Sequence, residues 1–278
     1  MAGDAVTGQR IARDALGLGL RPALYTRILA ERPLVDYFEI ISENFMGPAK
    51  PPRQNLAQVR AHYPVVMHGV GLNLLGHEPL NEHYLEALCR LADIVDPPFV
   101  SDHLCWTGAH GFSHHDLLPT PYTRDLVGYA ADRARRVQER LGRPFALENL
   151  SSYVRFAGSE MTEWEFYRAV VDEAGVYFML DINNIYVSSQ NHQFNPLEYL
   201  QYIPFDRVVQ VHLAGHNRRP DGTIIDTHDR AVDANVWDLY RKAWALGGPF
   251  PTLLEWDDDL PPMPELVAEM QKAREFQS

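Results

Sequence analysis

The sequence predicts an α/β protein with one domain, a (β/α)8 TIM barrel. Eight short runs of β-branched and aromatic residues alternate with longer amphipathic stretches, the pattern of βα units around a parallel sheet. The chain has 278 residues, and such barrels typically need about 250. No composition break or long linker interrupts it. We therefore expect a flexible lead-in over residues 1–14 and a barrel over residues 15–278.

The predicted strands are short and apolar. They cover residues 15–20, 37–41, 65–70, 99–104, 145–149, 177–182, 208–213 and 252–256. Helices are predicted between them from apolar residues at three- and four-residue steps, as in residues 81–95 and 124–141. Cap residues support these boundaries: Thr123 precedes the second of these helices, and Thr162 and Glu165 have capping-box spacing before the next.

Composition limits the classes of function. The chain is 46% hydrophobic and 22% charged, which favours a sizeable core over disorder. Its net charge of −12 would repel a nucleic-acid backbone, so no nucleic-acid partner is expected. Cys89 and Cys105 lack CxxC spacing, which indicates a reducing compartment and a cytoplasmic location. No apolar run has the length of a signal peptide core or a membrane span.

Potential metal ligands stand at seven of the eight predicted strand ends. In chain order they are Glu43, His68, His103, Glu148, Asp181, His212 and Glu255. The carboxyl ends of the strands in such a barrel converge on one pocket, where reacting groups are found. Acids and imidazoles gathered there would leave unpaired charge unless cations neutralised it. The sequence therefore predicts a centre for two or three metal ions.

The loops after the sixth and seventh strands add further candidates. Asp226 and His228 are two residues apart, so in an extended segment they would point the same way and could bind one ion. Asn184 and His192 follow the sixth strand, and His216 is expected to orient a ligand or contact substrate. The alternative for each is a polar residue in a solvated loop.

Imidazole and carboxylate without thiolate suit Fe, Mn or Zn and argue against an iron–sulfur cluster. No GxGxxG, P-loop or GxSxG motif indicates a nucleotide cofactor or a serine hydrolase. Two alternatives stay open from the residues alone. One is a Zn- or Mn-dependent barrel hydrolase or isomerase acting on a sugar or phosphoester. The other is a metal-binding protein without activity, whose coordination shell would be closed.

Nine motifs resemble those of the multinuclear non-haem iron-dependent oxidases, the family that includes the methanobactin-biosynthesis oxidase. They are GLGLRP (17–22), FEIISEN (38–44), MHGVGL (67–72), SDHL (101–104), LEN (147–149), LDINN (180–184), VHLAGH (211–216), IDTHD (225–229) and LEWD (254–257). Together they span roughly residues 16–262. Their number and order make the resemblance far more specific than any single motif.

The resemblance implies a TIM barrel with two or three irons, as Fe(II) or Fe(III), and O2 as co-substrate. The implied activity is modification of cysteine, or another residue, in a ribosomally synthesised precursor peptide during natural-product (RiPP) biosynthesis. It also implies a small partner protein that recognises the precursor's leader. The implied metal ligands are His68, His103, Glu148, Asp181, Asn184, His192, His212, Asp226, His228 and Glu255. Glu148, Asp181 and His212 are expected to be catalytic, and Glu43, Asn149 and His216 to support ligands or substrate.

Overall fold

Eight parallel strands close into a barrel in the computed structural model, which describes residues 10–277. The described strands are β1 (Leu16–Gly19), β2 (Tyr37–Ile41), β3 (Val65–Gly69), β4 (Val100–His103), β5 (Trp106–Ala109), β6 (Phe112–Leu118), β7 (Phe145–Glu148), β8 (Tyr177–Asp181), β9 (Val208–Ala214), β10 (His216–Arg218), β11 (Ile224–Asp226) and β12 (Thr252–Glu255). The barrel order is β1-β12-β9-β8-β7-β4-β3-β2. The predicted fold class is confirmed; most of the predicted lead-in, residues 1–9, lies outside the described residues.

Helices alternate with the barrel strands. They are α1 (Tyr25–Glu31), α2 (Glu43–Met46), α3 (Lys50–Arg60), α4 (Glu82–Val95), α5 (Arg124–Leu141), α6 (Glu163–Ala174), α7 (Ile182–His192), α8 (Pro196–Tyr202), α9 (Ala234–Gly247), α10 (Met263–Gln271) and α11 (Ala273–Phe276). Local signals set their ends: the predicted capping box between Thr162 and Glu165 starts α6, and Gly142, at φ 62°, ends α5. Among residues 10–277 we find no helix long and apolar enough to cross a bilayer.

Strand register brings distant parts of the chain side by side. His103 at the end of β4 pairs with Glu148 at the end of β7, and Asp181 at the end of β8 pairs with His212 in β9. The ring closes where β1 pairs with β12. Because the strands are parallel, their carboxyl ends form one rim, and these four side chains meet there.

The apolar core lies mainly between the barrel and its helices, where Phe178 and Tyr167 are fully buried. The inside of the barrel is different, since Glu39, Gln210 and His212 are buried there and contact one another. A buried polar group is costly unless it is hydrogen-bonded. The polar side chains inside the barrel therefore form a connected support beneath the rim.

Two antiparallel hairpins extend the rim: β5 pairs with β6 after the fourth barrel strand, and β10 pairs with β11 after β9. Leu117 in β6 and Asp226 in β11 both line the cavity at the barrel mouth. The hairpins thus form part of the wall of the functional site.

Candidate metal centre

A cavity of about 150 Å³ lies at the carboxyl ends of the barrel strands. Its polar lining consists of His68, His103, Glu148, Ser151, Asn184, Asp226, His228, Glu255 and Asp257. Ligand atoms within 4.8 Å of one another form three groups here, which we call the first, second and third ligand groups. Glu148 belongs to the first and second groups, and Glu255 belongs to the second and third. Two shared carboxylates therefore link the three groups.

The first ligand group is His68, His103 and Glu148. Both imidazoles bring Nε2 to 3.1 Å from Glu148 Oε2. The opposite nitrogens are held in place: His68 Nδ1 lies 3.0 Å from Ser101 Oγ, and His103 Nδ1 donates to the Gly69 carbonyl at 3.1 Å. Because that carbonyl can only accept, His103 Nε2 keeps a free lone pair facing the cavity.

The second ligand group is Glu148, Asp181, His212 and Glu255. His212 Nδ1 lies 3.3 Å from Glu148 and 3.4 Å from Glu255. Asp181 caps α7, because its Oδ1 accepts from the Asn184 backbone N–H. Its Oδ2 has no hydrogen-bond partner among the described residues. His212 and Asp181 are completely buried, so this group lies deepest in the centre.

Beneath the second group, Glu39 and Gln210 orient His212. Glu39 Oε2 lies 3.1 Å from His212 Nε2 and accepts from Gln210 Nε2 at 2.7 Å. Sequence reasoning missed both residues, although signals existed. Glu39 is an acid within an apolar strand, and Gln210 stands two residues before His212, on the same face of β9.

The third ligand group is His228, Glu255 and Asp257, of which Asp257 was not predicted. His228 Nδ1 lies 3.4 Å from both acids, and its Nε2 lies 2.7 Å from Asp226 Oδ1. Arg21 donates from Nε to Asp257 at 2.6 Å and from Nη2 to Glu255 at 3.3 Å. In residues 10–277, no other Lys or Arg forms an ion pair with a carboxylate of the three groups.

Several side-chain atoms of the predicted ligands are buried without a hydrogen bond of acceptable geometry to another described residue. They are Glu148 Oε2, Asp181 Oδ2, Asn184 Oδ1, His212 Nδ1 and His228 Nε2. An unsatisfied buried polar atom is costly, on the order of 1–3 kcal/mol. Atoms that converge without hydrogen-bonding one another are what metal coordination requires. The residues therefore fit a centre for more than one cation.

The pKa shifts of two buried carboxyl groups, Glu148 and Asp181, also support cation binding. Burial would raise the pKa of Glu148, but the imidazoles of His103, His212 and His68 hold it well below its ordinary value. The pKa of Asp181 is raised well above its ordinary value by burial and then by the charge of Glu148. A cation between these carboxylates would favour the ionised form of both, because it offsets burial and their mutual repulsion.

Other predicted residues support the ligands. The Asn149 side chain forms two 2.9 Å hydrogen bonds with the Asp181 backbone. The backbone carbonyl of Asn149 accepts from the side-chain amide of Asn184. His216 lies 2.8 Å from Asn183, which in turn donates to Asp226 at 2.7 Å. Asn149 therefore contacts a member of the second group directly, whereas His216 is connected to His228 of the third group only through Asn183 and Asp226.

Two predicted residues lie elsewhere. Glu43 accepts from the Val70 backbone N–H and the Tyr84 hydroxyl, so it supports the loop after β3. His192, predicted as a ligand, lies in an adjacent cavity, 3.0 Å from Ser152 Oγ, and is outside the three groups. The reason is helix length: α7 has 11 residues and carries its last residue roughly 16 Å along the axis from Asp181 of the second group.

Fold and site together define a class: a parallel α/β barrel with a candidate multinuclear metal centre at the carboxyl ends of its strands. Within that class, the chain belongs to the family described as RiPP precursor modification enzyme MbnB/TglH/ChrH, whose family model matches residues 15–278. The family suggested by the sequence motifs is thereby confirmed, and with it an enzyme family that modifies precursor peptides.

Relatives of known sequence match over almost the whole chain. A UPF0276 protein of Caulobacter vibrioides (strain NA1000 / CB15N) is 48% identical over 262 residues, covering 94% of this chain and 93% of that protein. A UPF0276 protein of Acaryochloris marina is 45% identical, with 94% of each chain covered. The similarity thus extends well beyond the rim motifs.

Solved structures share the fold at low sequence identity. A xylose isomerase-like TIM barrel protein from Mycobacterium smegmatis, in complex with magnesium, has a TM-score of 0.60 at 12% identity and covers 95% of both chains. D-psicose 3-epimerase from Clostridium cellulolyticum H10 has a TM-score of 0.59 at 12% identity, covering 95% of this chain and 98% of that one. These similarities establish the barrel fold.

Proposed function

We propose that the protein is an iron-dependent oxidase that uses O2 to modify cysteine in a ribosomally made precursor peptide. The observation that carries the proposal is the linkage of three ligand groups through Glu148 and Glu255. Membership of the precursor-modifying family supports a peptide substrate. The first ligand group supports iron, because two histidines and one carboxylate with open positions are typical of non-haem Fe(II) oxygenases.

The candidate ligands differ in how deeply they are buried. His103 and Glu255 keep 8% and 6% of their surface exposed toward the cavity, whereas Asp181 and His212 are fully buried. A substrate side chain can therefore reach the first and third groups, while the second group holds them together from below. Iron bound there would supply the one-electron redox chemistry that a reaction with O2 needs.

The apolar residues of the cavity lining would contact the substrate side chain and position it. Ile41, Val70, Leu117 and Leu150 line the cavity together with the ligands. Apolar walls exclude water and favour a side chain such as a thiol over a hydrated ion. Positioning of the peptide is thus assigned to these walls and the hairpin β5–β6.

The test is anaerobic purification with metal analysis, followed by addition of a cysteine-containing peptide encoded beside the gene, with and without O2. We expect bound iron and a peptide mass change, seen by mass spectrometry, that needs both iron and O2. Equal turnover with Zn or Mn, or turnover of a sugar or phosphoester instead of the peptide, would favour the hydrolase or isomerase alternative. The reaction is also run with and without a small neighbouring protein, since a leader-recognising partner is part of the proposal.

Variants separate loss of the centre from loss of the fold. Glu148→Ala and His212→Ala should abolish the mass change and lower the iron content, because each removes a ligand from a linked group, while circular dichroism stays like that of the wild type. His83→Ala, at an exposed position in α4, is the matched control. Full iron content and normal turnover in the first two variants would remove those residues from the centre.

A further inference from the structure

A second cavity, of about 240 Å³, lies beside the metal centre. The segment after β7 separates the two, since Ser151 lines the metal cavity and Ser152 lines the second one. Consecutive Cα atoms are about 3.8 Å apart, so the dividing wall is thin. One extended peptide crossing this segment can place different side chains in the two cavities.

Aromatic side chains form part of the wall of the second cavity. Tyr122, Trp164 and Phe194 line it, together with Met161. The Trp164 and Phe194 rings are 5.0 Å apart at an interplanar angle of 50°. Rings of this kind attract cations through the negative charge of their faces, by roughly 0.5–2 kcal/mol each.

One carboxylate lies in this aromatic lining. Glu163 Oε1 accepts from the Tyr199 hydroxyl at 2.9 Å, and Oε2 accepts from the Tyr122 hydroxyl at 3.3 Å. Within residues 10–277, no Lys or Arg forms an ion pair with Glu163, and burial raises its pKa to about 7. A carboxylate has about four acceptor sites, so two hydrogen bonds leave capacity for a further donor.

We propose, building on the peptide-modifying function above, that this cavity binds the side chain of a lysine or arginine located a few residues from the cysteine that is modified. A carboxylate among aromatic rings suits an ammonium or guanidinium group through charge-assisted hydrogen bonds and cation–π contacts. The net charge of −12 would also attract a basic peptide. The site would select substrates by a residue other than cysteine.

Among the residues that the structure describes, Arg155 is a candidate competitor for this cavity. Arg155 lines the same cavity, and its charge acts on Glu163 in the direction of a lower pKa. Its side chain is exposed and forms no ion pair with a described acid. A test of the proposal must therefore separate a substrate cation from Arg155.

The test measures binding of two cysteine-free, acetylated and amidated heptapeptides, Gly-Ser-Gly-Lys-Gly-Ser-Gly and the same peptide with norleucine in place of lysine. The protein carries 5-fluorotryptophan, and the fluorine NMR signal of Trp164, assigned with Trp164→Phe, reports binding. We expect the lysine peptide to shift that signal. Binding should weaken about tenfold or more with norleucine or with Glu163→Gln, because a charge-assisted hydrogen bond is lost. Glu173→Gln, an exposed acid on the same helix, is the matched control.

Three results would overturn the proposal. They are equal binding of both peptides, undiminished lysine binding in Glu163→Gln, and lysine binding that is detected only in Arg155→Gln. The last would mean that Arg155 itself occupies the cavity. Because the probes lack cysteine and the signal needs neither iron nor O2, failure of the oxidase proposal would leave this readout intact. If the precursor assay succeeds, Glu163→Gln should also raise KM for precursors that contain the basic residue.

Discussion

Glu39 determines which nitrogen of His212 faces the ligand groups. The carboxylate of Glu39 lies beside Nε2, while Nδ1 points at Glu148 and Glu255. In the neutral imidazole that would bind a metal, a proton on Nε2 donated to Glu39 leaves the lone pair on Nδ1. Carboxylates behind metal-binding histidines commonly have this effect. Glu39 is therefore a positioning residue, since it acts on the centre through the imidazole.

We expect Glu39→Gln to lower metal affinity by about 10- to 100-fold, the usual effect of losing such a partner. The measurement is titration of the apoprotein with Fe(II) against a competing chelator, under anaerobic conditions. Glu269→Gln changes a buried acid that accepts from Val232, pairs with Lys272 and belongs to none of the three ligand groups, and it serves as the control. Equal Fe(II) affinities in wild type and Glu39→Gln would show that Glu39 does not influence metal binding through His212.

Glu163 should make stability depend on pH. Its pKa is raised from 4.5 to about 7 by burial, so the folded protein holds a proton that the unfolded chain releases. That contribution is complete below about pH 4.5 and is lost as the pH rises through about 7. We expect the free energy of unfolding of the wild type, relative to Glu163→Gln, to fall between about pH 5 and 8. Urea unfolding across this range tests it; parallel curves for the two proteins would contradict it.

Replacing a glycine by alanine should have opposite effects on stability in β1 and in α5. A Cβ on Gly17 would lie 2.4 Å from the ring of Tyr37, which is fully buried. A Cβ on Gly128, inside α5, would meet nothing closer than 3.4 Å. The first glycine permits a close approach of strand and ring, and the second only lowers helix propensity.

Gly17→Ala should destabilise the protein by about 1–3 kcal/mol through overpacking. Gly128→Ala should stabilise it by about 0.5–1 kcal/mol, since alanine loses less backbone entropy in a helix. Urea denaturation of both variants measures the two effects, and each variant is the control for the other. The same sign for both changes would contradict either the close contact of Gly17 with Tyr37 or the open space around Gly128.

The elements also show which local structure the sequence alone predicts. Helices are predicted over residues 81–95 and 124–141, and α4 and α5 occupy Glu82–Val95 and Arg124–Leu141, because periodicity and caps lie within the segments themselves. The hairpins β5–β6 and β10–β11 are not predicted. Strand β6 has the sequence FSHHDLL, in which the polar residues break the apolar pattern that would predict a strand. Pairing with β5 stabilises its extended conformation.

At the scale of the whole molecule, metal binding should add to stability. The three ligand groups bring distant barrel strands together, so an unfolded chain cannot reproduce them. A ligand that binds only the folded state stabilises it by about 2.7 kcal/mol at 100 times its Kd, or roughly 5 °C in Tm for a chain of this size. Anaerobic calorimetry with and without Fe(II) measures the shift. Glu148→Gln should show a smaller shift, and an equal one would count against Glu148 as a shared ligand.

The set of residues at the rim is largely predictable because it depends on strand order. Parallel strands end on one face, so the acids and histidines at their ends can be assigned to one pocket from their positions along the chain. The division of those residues into three linked groups is not predictable in this way. It depends on rotamers and on distances of a few ångströms between side chains whose strands lie far apart in the chain.

The sequence by itself determined the barrel, the extents of α4 and α5, the start of α6 and the family, because periodicity, caps and strand-end motifs are encoded in short segments. Only the tertiary structure decided that Glu39 lies behind His212, that Asp257 joins the third group, and that His192 lines a second cavity with Glu163. The physical reason is that a contact between distant segments depends on strand register and helix length. Neither can be read from the residues that make the contact.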